Sequence, residues 1–264
     1  MVANFVNALE ARAEEIARSI STEMGKLLAE AGGEAMKAVV EARAAGCTGQ
    51  CAHRRGFWLA DCRDCQLFNP ASKRCDPWDN PWNFPSSPPM RKAIPALVYG
   101  NAIILKPACL TPGAVVLMAE VAADTLPENM VQAVIGRGAL GQALAEHSGV
   151  DAVGFTGSVA VGKRVAIAAA GHLAEVSLEL GGKNPAILND ASDLDRTLDQ
   201  ILLAAFAVCG QRCTAVSRVI VHRDIEEAVV SGLAARAVAM DPMDGMIEGA
   251  KIGPLASAQQ LEDV

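Results

Sequence analysis

Short apolar runs alternate with longer stretches of helical periodicity from residue 81 onward, and this alternation restricts the fold more than any other feature of the chain. The runs with strand character lie at residues 102–105, 130–135, 152–155, 176–180 and 186–188. Helical periodicity fills residues 113–123, residues 140–147 and a segment that begins near residue 159. Strands separated by helices of this length form β-α-β units, so the pattern predicts an α/β fold with a parallel sheet.

The residue patterns near the two ends of the chain predict further helices and one further strand. Apolar residues recur every three to four positions from Phe5 to Leu27, which predicts one long amphipathic helix, and a second helix is predicted to end near Gly46. A helix, a strand and a helix are predicted at residues 192–208, 216–221 and 225–240. We therefore expect residues 1–45 and 81–180 to form one domain, and residues 181–264 to form the N-terminal part of a second α/β domain.

The net charge and the hydropathy of the chain argue against some classes of binding partner. The chain has 23 basic and 30 acidic residues, a net charge of −7, so it lacks the positive charge that attracts nucleic acid or anionic lipid. No run of eighteen apolar residues is present, and the acidic N-terminal stretch does not resemble a signal peptide. We expect a cytoplasmic protein with reduced thiols, a small-molecule substrate and no membrane or nucleic-acid partner.

Residues 46–80 differ in composition from the rest of the chain. Five of the 8 cysteines lie there, and residues 47–79 contain neither Val nor Ile. Pro70, Pro77 and the nearby charges make a central strand improbable at residues 66–80, so we expect an irregular segment. The cysteines of the segment are Cys47, Cys51, Cys62, Cys65 and Cys75.

Two explanations compete for this Cys-rich segment. The spacings Cys47-x3-Cys51 and Cys62-x2-Cys65 are compatible with a Zn²⁺ site, with His53 and Cys75 as spare ligands. Enrichment in Cys, Arg, Trp and Pro is also what a GC-rich gene read out of frame would give. We favour the second explanation, a pair of compensating frame shifts, and predict no metal site.

Two glycine-rich turns follow predicted strands. Residues 136–141 match the G-x-G-x-x-G fingerprint for dinucleotides, although flexible glycines at an ordinary strand-to-helix turn explain them equally well. At the second turn, Ser158 and the amides of the following helix are candidates for binding a pyrophosphate, and an ordinary helix N-cap is the alternative. Gly157 would permit close approach of the ligand, and Gly162 close packing of the helix on the sheet.

Two further residues are candidates for chemistry. Glu179 ends a predicted strand, at the edge where open parallel sheets bind ligands, and is either a general base or a solvated surface carboxylate. Cys213 lies in a polar turn, where the adjacent Arg212 and a helix start would favour the nucleophilic thiolate. A buried, unreactive thiol is the alternative for Cys213 and the only interpretation that we give Cys209.

Several motifs that occur in a fixed order identify a protein family more specifically than any one of the motifs does. Together they resemble the aldehyde dehydrogenase superfamily, over roughly residues 1–45 and 81–264. The motifs are Pro81-Trp82-Asn83-Phe84-Pro85, Ile104-Leu105-Lys106-Pro107-Ala108, Phe155-Thr156-Gly157-Ser158, Glu179-Leu180-Gly181-Gly182-Lys183, Gly210-Gln211-Arg212-Cys213 and Ile252-Gly253-Pro254-Leu255.

The resemblance implies a Rossmann-like domain and NAD(P)-dependent oxidation of an aldehyde to an acid. Cys213 would form a thiohemiacetal and then a thioester, Asn83 and the Cys213 amide would hold the oxyanion, and Glu179 would activate the hydrolytic water. Lys106 would bind the adenosine ribose and Ser158 the pyrophosphate. Trp82, Gly157, Gly162 and Leu180 complete the implied cofactor-binding set, and the fingerprint at Gly136 would lie near the adenine.

The resemblance is less specific about cofactor and substrate. Many members carry Glu three residues after the lysine, where it repels a 2′-phosphate; here that residue is Cys109, so we expect NADP to be tolerated. The motifs are most similar to bacterial semialdehyde dehydrogenases, such as those acting on 2-oxoglutarate semialdehyde.

Members of this family are nearly twice as long, and their C-terminal part contributes an oligomer-forming arm. We therefore expect a truncated chain with impaired turnover, whose full-length relatives are homo-oligomers. A non-catalytic nucleotide-binding remnant and a zinc-binding module are the alternative functions.

Overall fold

Three helices open the chain in the computed structural model, which describes residues 1–55, 75–79 and 81–262. They are α1 (Val2–Ala11), α2 (Ala13–Met24) and α3 (Leu28–Arg55). The predicted single helix is therefore divided at Arg12, whose guanidinium pairs with Glu15 and Glu120. Gly25 follows α2 with φ of +81°, a conformation that glycine adopts without strain.

Nine elements complete the first part of the fold. In chain order they are β1 (Cys75–Asp79), α4 (Ser87–Val98), β2 (Ala102–Lys106), α5 (Gly113–Thr125), β3 (Val131–Ala133), α6 (Gly138–Glu146), β4 (Ala152–Gly157), α7 (Val159–Ala170) and β5 (Glu175–Leu180). The five strands are all parallel and lie in the order β3-β2-β1-β4-β5. This doubly wound order confirms the predicted α/β, Rossmann-like fold.

Strand β1 corrects the expectation for the Cys-rich segment. Cys75–Asp79 pairs with the whole of β2, and Trp78 and Asp79 also pair with β4, so this short segment is the central strand of the sheet. Helix α3 likewise continues past Gly46 to Arg55. The prediction of an irregular segment was wrong at these positions because backbone pairing with β2 and β4 outweighs unfavourable residue types such as Pro77.

Seven further elements follow Leu180. The regular elements are β6 (Asn184–Leu188), α8 (Leu194–Phe206), β7 (Val216–Val221), α9 (Glu226–Val238) and α10 (Ala258–Glu262), with 3-10 turns at Ala207–Gly210 and Arg223–Ile225. Strands β6 and β7 are parallel. Leu188, Leu198, Ile201 and Val229 form the buried core between this sheet and helices α8 and α9.

The chain divides into two compact units. The first contains Met1–Ile20 and Ala31–Leu180, and the second contains Ser21–Glu30 and Gly181–Val264. Residues 21–30 thus belong with the second unit, although the sequence placed them in the first domain. Within the residues that the structure describes, no helix combines the length and apolar character needed to cross a membrane.

Candidate active site

The carboxyl ends of the parallel strands bring most of the candidate residues of the first unit to one edge of the sheet. Lys106 ends β2, Gly157 ends β4, and Glu179 and Leu180 end β5. The order of strands reverses between β1 and β4, and Trp82 follows β1 closely in sequence. Open α/β sheets bind ligands at such a reversal, outside the carboxyl ends of the strands.

The turn between β4 and α7 has the features of an anion-binding helix start. Ser158 caps α7, since its Oγ accepts a hydrogen bond from the Val161 amide at 3.3 Å. This confirms the N-cap interpretation of the serine. Ser158, Val159 and Ala160 are all exposed, so the positive end of the helix dipole is open to a ligand.

Gly162 and Leu180 lie against each other beneath this turn. A Cβ atom at Gly162 would lie 2.7 Å from Leu180 Cδ2, closer than carbon atoms approach in proteins. Glycine therefore allows α7 to pack close to the end of β5. Both residues were predicted from the sequence to serve the cofactor, and the structure brings them together.

Lys106 is nearly fully buried, with 4% of its surface exposed, and its Nζ donates to the Pro107 carbonyl at 3.2 Å. Three residues later, Cys109 is exposed and its Sγ donates to the Gly136 carbonyl at 3.3 Å. The G-x-G-x-x-G turn thus lies beside the Cys109 loop. It follows β3, the edge strand, and not a strand at the reversal.

Asn83 and Trp82 lie in the loop that leads from β1 into α4, and both are partly exposed. The Trp82 carbonyl accepts a hydrogen bond from Thr111 Oγ1 at 3.0 Å, and Thr111 is fully buried. The loop is therefore tied to the segment after β2 that also contains Lys106 and Cys109.

Glu179 is exposed at the end of β5, and Lys92 of α4 lies close enough for the two charges to interact. Lys92 Nζ donates to Ser177 Oγ at 2.8 Å. Burial lowers the pKa of Lys92, while the carboxylate of Glu179 acts in the opposite direction and favours the ammonium form. Sequence reasoning missed Lys92, because a lysine on an amphipathic helix gives no sign of which strand it will contact.

Cys213 belongs to the second unit, in an exposed turn that leads into β7. Asn184 at the start of β6 holds this turn: its Nδ2 donates to the carbonyl of Cys213 at 2.9 Å and lies 3.4 Å from that of Ala215. The expected helix start beside Cys213 is absent from this described region, since a strand follows, and Arg212 donates to Thr214. Asn184 is a second residue whose role the sequence did not predict.

The turn before Cys213 has an unusual backbone. Val208, Cys209 and Gly210 have φ of 58°, 57° and 70°, in the left-handed region that a β-branched valine rarely adopts. Glu30 stabilises it, because its Oε1 accepts from the Val208 amide at 2.8 Å. Cys209 is buried, which confirms its packing role, and burial raises the pKa of its thiol.

The zinc hypothesis depends on residues that are only partly described. Among the described residues, His, Cys, Asp and Glu side chains nowhere gather in a group of three that could hold a metal ion. Cys62 and Cys65 lie outside the described residues, so the frame shift stays a prediction and the zinc site stays its untested alternative.

Comparisons with known proteins agree with the motifs. The pattern of the Aldehyde dehydrogenase family matches residues 1–264. The alpha-ketoglutaric semialdehyde dehydrogenase of Bacillus subtilis (strain 168) is 38% identical over 261 residues, which are 97% of this chain and 53% of that protein. The chain thus spans about half the length of this curated relative.

Solved structures give the same result. Aldehyde dehydrogenase C of Pseudomonas syringae, in complex with NAD+ and octanal, has a TM-score of 0.85 and 29% identity, covering 99% of this chain and 53% of that one. An E. coli NADP dependent enzyme has a TM-score of 0.84 and 28% identity, covering 99% and 55% of the two chains. The chain belongs to the aldehyde dehydrogenase family.

Proposed function

We propose that this chain carries the chemistry of NAD(P)-dependent oxidation of an aldehyde to a carboxylic acid. The observation that carries the proposal is Cys213, an exposed thiol on a turn fixed by Asn184, in a chain of this family. Only an accessible thiol can attack a carbonyl carbon, and the buried Cys209 four residues earlier cannot.

In the first step, the Cys213 thiolate attacks the aldehyde carbon, and the carbonyl oxygen gains the electron pair as an oxyanion. The Asn83 side-chain amide and the Cys213 backbone amide are the donors for that oxyanion. Loss of hydride from the same carbon converts the thiohemiacetal into a thioester. When bound, the nicotinamide supplies the acceptor for this hydride.

In the second step, Glu179 removes a proton from water, which attacks the thioester and releases the carboxylic acid and the Cys213 thiolate. Glu179 acts as a base only when it is ionised. Lys92 lies close enough to Glu179 for the two charges to interact.

The residues at the carboxyl edge of the first sheet fit a dinucleotide. Ser158 and the open first turn of α7 would hold the pyrophosphate, and the absence of a Cβ at Gly162 lets that helix lie close to Leu180. Lys106 would hydrogen-bond the adenosine ribose, with Trp82 and Gly157 nearby in the fold. Cys109 brings no negative charge to the Lys106 loop, so both NAD and NADP are proposed as cofactors.

A semialdehyde is the substrate class that we propose, because the Bacillus subtilis relative is named for alpha-ketoglutaric semialdehyde and matches 97% of this chain. A pocket that merely fits a different chain length discriminates by only about 1–3 kcal/mol, so simpler aldehydes should also react, more slowly.

Purified protein tests the proposal by aldehyde-dependent formation of NAD(P)H. We expect turnover that is lost in Cys213→Ser, while that variant still binds NAD(P) by fluorescence titration. Nucleotide binding without turnover in the unaltered chain would support a non-catalytic remnant, and stoichiometric zinc would support a zinc-binding module. Turnover that survives Cys213→Ser would contradict the proposed nucleophile.

A further inference from the structure

The loop that carries Asn83 is anchored at its first residue by a buried hydroxyl. Thr111 has no exposed surface, and its Oγ1 donates to the carbonyl of Trp82 at 3.0 Å. Burial protects this bond from competition with water. The backbone immediately before Asn83 is therefore held at a defined distance from the loop that follows β2.

The same loop is anchored at its other end by a buried carboxylate. Glu34 of α3 is 4% exposed, and its Oε1 accepts from the Ser86 amide at 2.8 Å, the Ser86 hydroxyl at 2.8 Å and the Ser87 amide at 3.3 Å. Pro88 and Pro89 have no amide hydrogen. Glu34 thus satisfies the backbone donors at the N-terminus of α4, where a negative charge is favourable.

Helix α4 does not need a buried glutamate in order to begin. Ser86 is one of the preferred N-cap residues, yet its side chain makes no capping bond and donates to Glu34 instead. Burying a carboxylate is costly unless hydrogen bonds compensate for the lost water. The contacts of Glu34 therefore link α3 to one particular position of the loop, which an ordinary serine cap would not do.

Asn83 lies between these two anchors. Asn83, Phe84 and Pro85 separate Trp82 from Ser86, and the ring of Pro85 fixes one of the few remaining torsions. We propose that Glu34 and Thr111 are positioning residues, which hold the Asn83 amide where the oxyanion of the reacting aldehyde forms. The oxyanion role of Asn83 in this inference rests on the proposed function. The anchoring of the loop by Glu34 and Thr111 does not depend on that function.

Hydrogen–deuterium exchange tests the anchoring in the full 264-residue chain without any need for turnover. In Glu34→Ala, which removes the acceptor, and in Thr111→Val we expect the amides of residues 82–87 to exchange on the order of tenfold faster, with the strands of the first sheet unchanged. Two controls match these changes. Glu10→Ala removes a carboxylate of α1 that pairs with Arg43, and Thr125→Val alters a hydroxyl that bonds within α5. Unchanged exchange at residues 82–87, or faster exchange throughout the unit, would overturn the proposal.

A double-mutant cycle tests whether the two anchors act through Asn83. We expect Glu34→Ala to lower kcat/KM for the aldehyde by roughly tenfold when Asn83 is present and to have almost no effect in the Asn83→Ala background. A merely structural role would give the same loss in both backgrounds and would overturn the proposal. Absence of turnover in the unaltered chain would instead refute the proposed function, and the exchange experiment would then decide the anchoring alone.

Discussion

At the scale of single residues, Cys209 and Cys213 show that two neighbouring thiols can differ in their accessibility. Cys209 and Cys213 lie four positions apart, yet one is buried and the other exposed. The residues alone predicted a packing role for Cys209 and left both a reactive and a buried thiol open for Cys213, and the family resemblance then favoured the nucleophile. The residue types could not predict the left-handed turn at residues 208–210, since valine strongly disfavours that conformation and the Val208 amide donates to Glu30, which is distant in sequence.

Leu173 offers a test of backbone strain away from the candidate site. It has φ of 62° and is 92% exposed, in the turn that ends α7, where the amide of Ala174 bonds the carbonyl of Ala169. Such a turn favours glycine. We expect Leu173→Gly to raise the free energy of unfolding, measured by urea denaturation, by about 0.5–1 kcal/mol. Relief of the left-handed strain contributes about 1–2 kcal/mol, and the greater chain entropy that glycine loses on folding offsets part of this gain. Leu173→Ala, which keeps the strain, should give no gain; an equal gain would refute this explanation.

Cys109 tests the proposed tolerance for NADP. We expect Cys109→Glu to weaken binding of NADP relative to NAD by roughly tenfold, because a carboxylate near the ribose repels a 2′-phosphate. Cys109→Gln, which has the same size without the charge, should leave the ratio nearly unchanged. Fluorescence titration with both nucleotides measures the ratio of the NADP and NAD affinities. A strong preference for NAD in the unaltered chain would contradict the prediction.

At the scale of helices and strands, the sequence predicted an element correctly where the local residue pattern favours the same structure as the tertiary contacts. Strand β7 occupies residues 216–221, the bounds predicted from the sequence. Strand β1 was missed because its pairing with β2 and β4 is a property of the assembled sheet and not of Pro77 or its neighbours. Lys92, Glu34 and Asn184 were missed for the same reason, since their partners are distant in sequence.

The contact between α7 and β5 gives a prediction at this scale. We expect Gly162→Ala to leave the free energy of unfolding within about 0.5 kcal/mol of its original value, because displacing the Cδ2 methyl of Leu180 offsets the gain in helix propensity. The matched control is Gly33→Ala in α3, where no atom lies within 4 Å of the added Cβ and about 0.5–1 kcal/mol of stabilisation is expected. Similar effects at both sites would contradict the proposed close packing.

At the scale of the whole molecule, the second unit has a sheet with one bare face. Ile187 and Ile220 are paired in register on β6 and β7 and are 74% and 51% exposed, whereas Leu188 and Val219 face the helices. Parallel sheets in proteins are normally covered on both faces. The two isoleucines therefore leave apolar surface open to association.

This open face predicts self-association. We expect the double variant Ile187→Thr, Ile220→Thr to show less light scattering and less binding of a hydrophobic dye than the unaltered chain, with an unchanged circular dichroism spectrum. Ile167→Thr is the control, because Ile167 is equally exposed but lies on α7. An equal decrease in both variants would show that association does not depend on the sheet face.

The central claim is that Cys213 carries the acyl group and Glu179 releases it. The most direct measurement is mass spectrometry of the Glu179→Gln variant after mixing with NAD(P) and a semialdehyde. We expect a burst of NAD(P)H of about one equivalent per chain and an acyl adduct on the peptide that contains Cys213, because the thioester forms but lacks its base for hydrolysis. Steady turnover in this variant, or an adduct on another cysteine, would contradict the account.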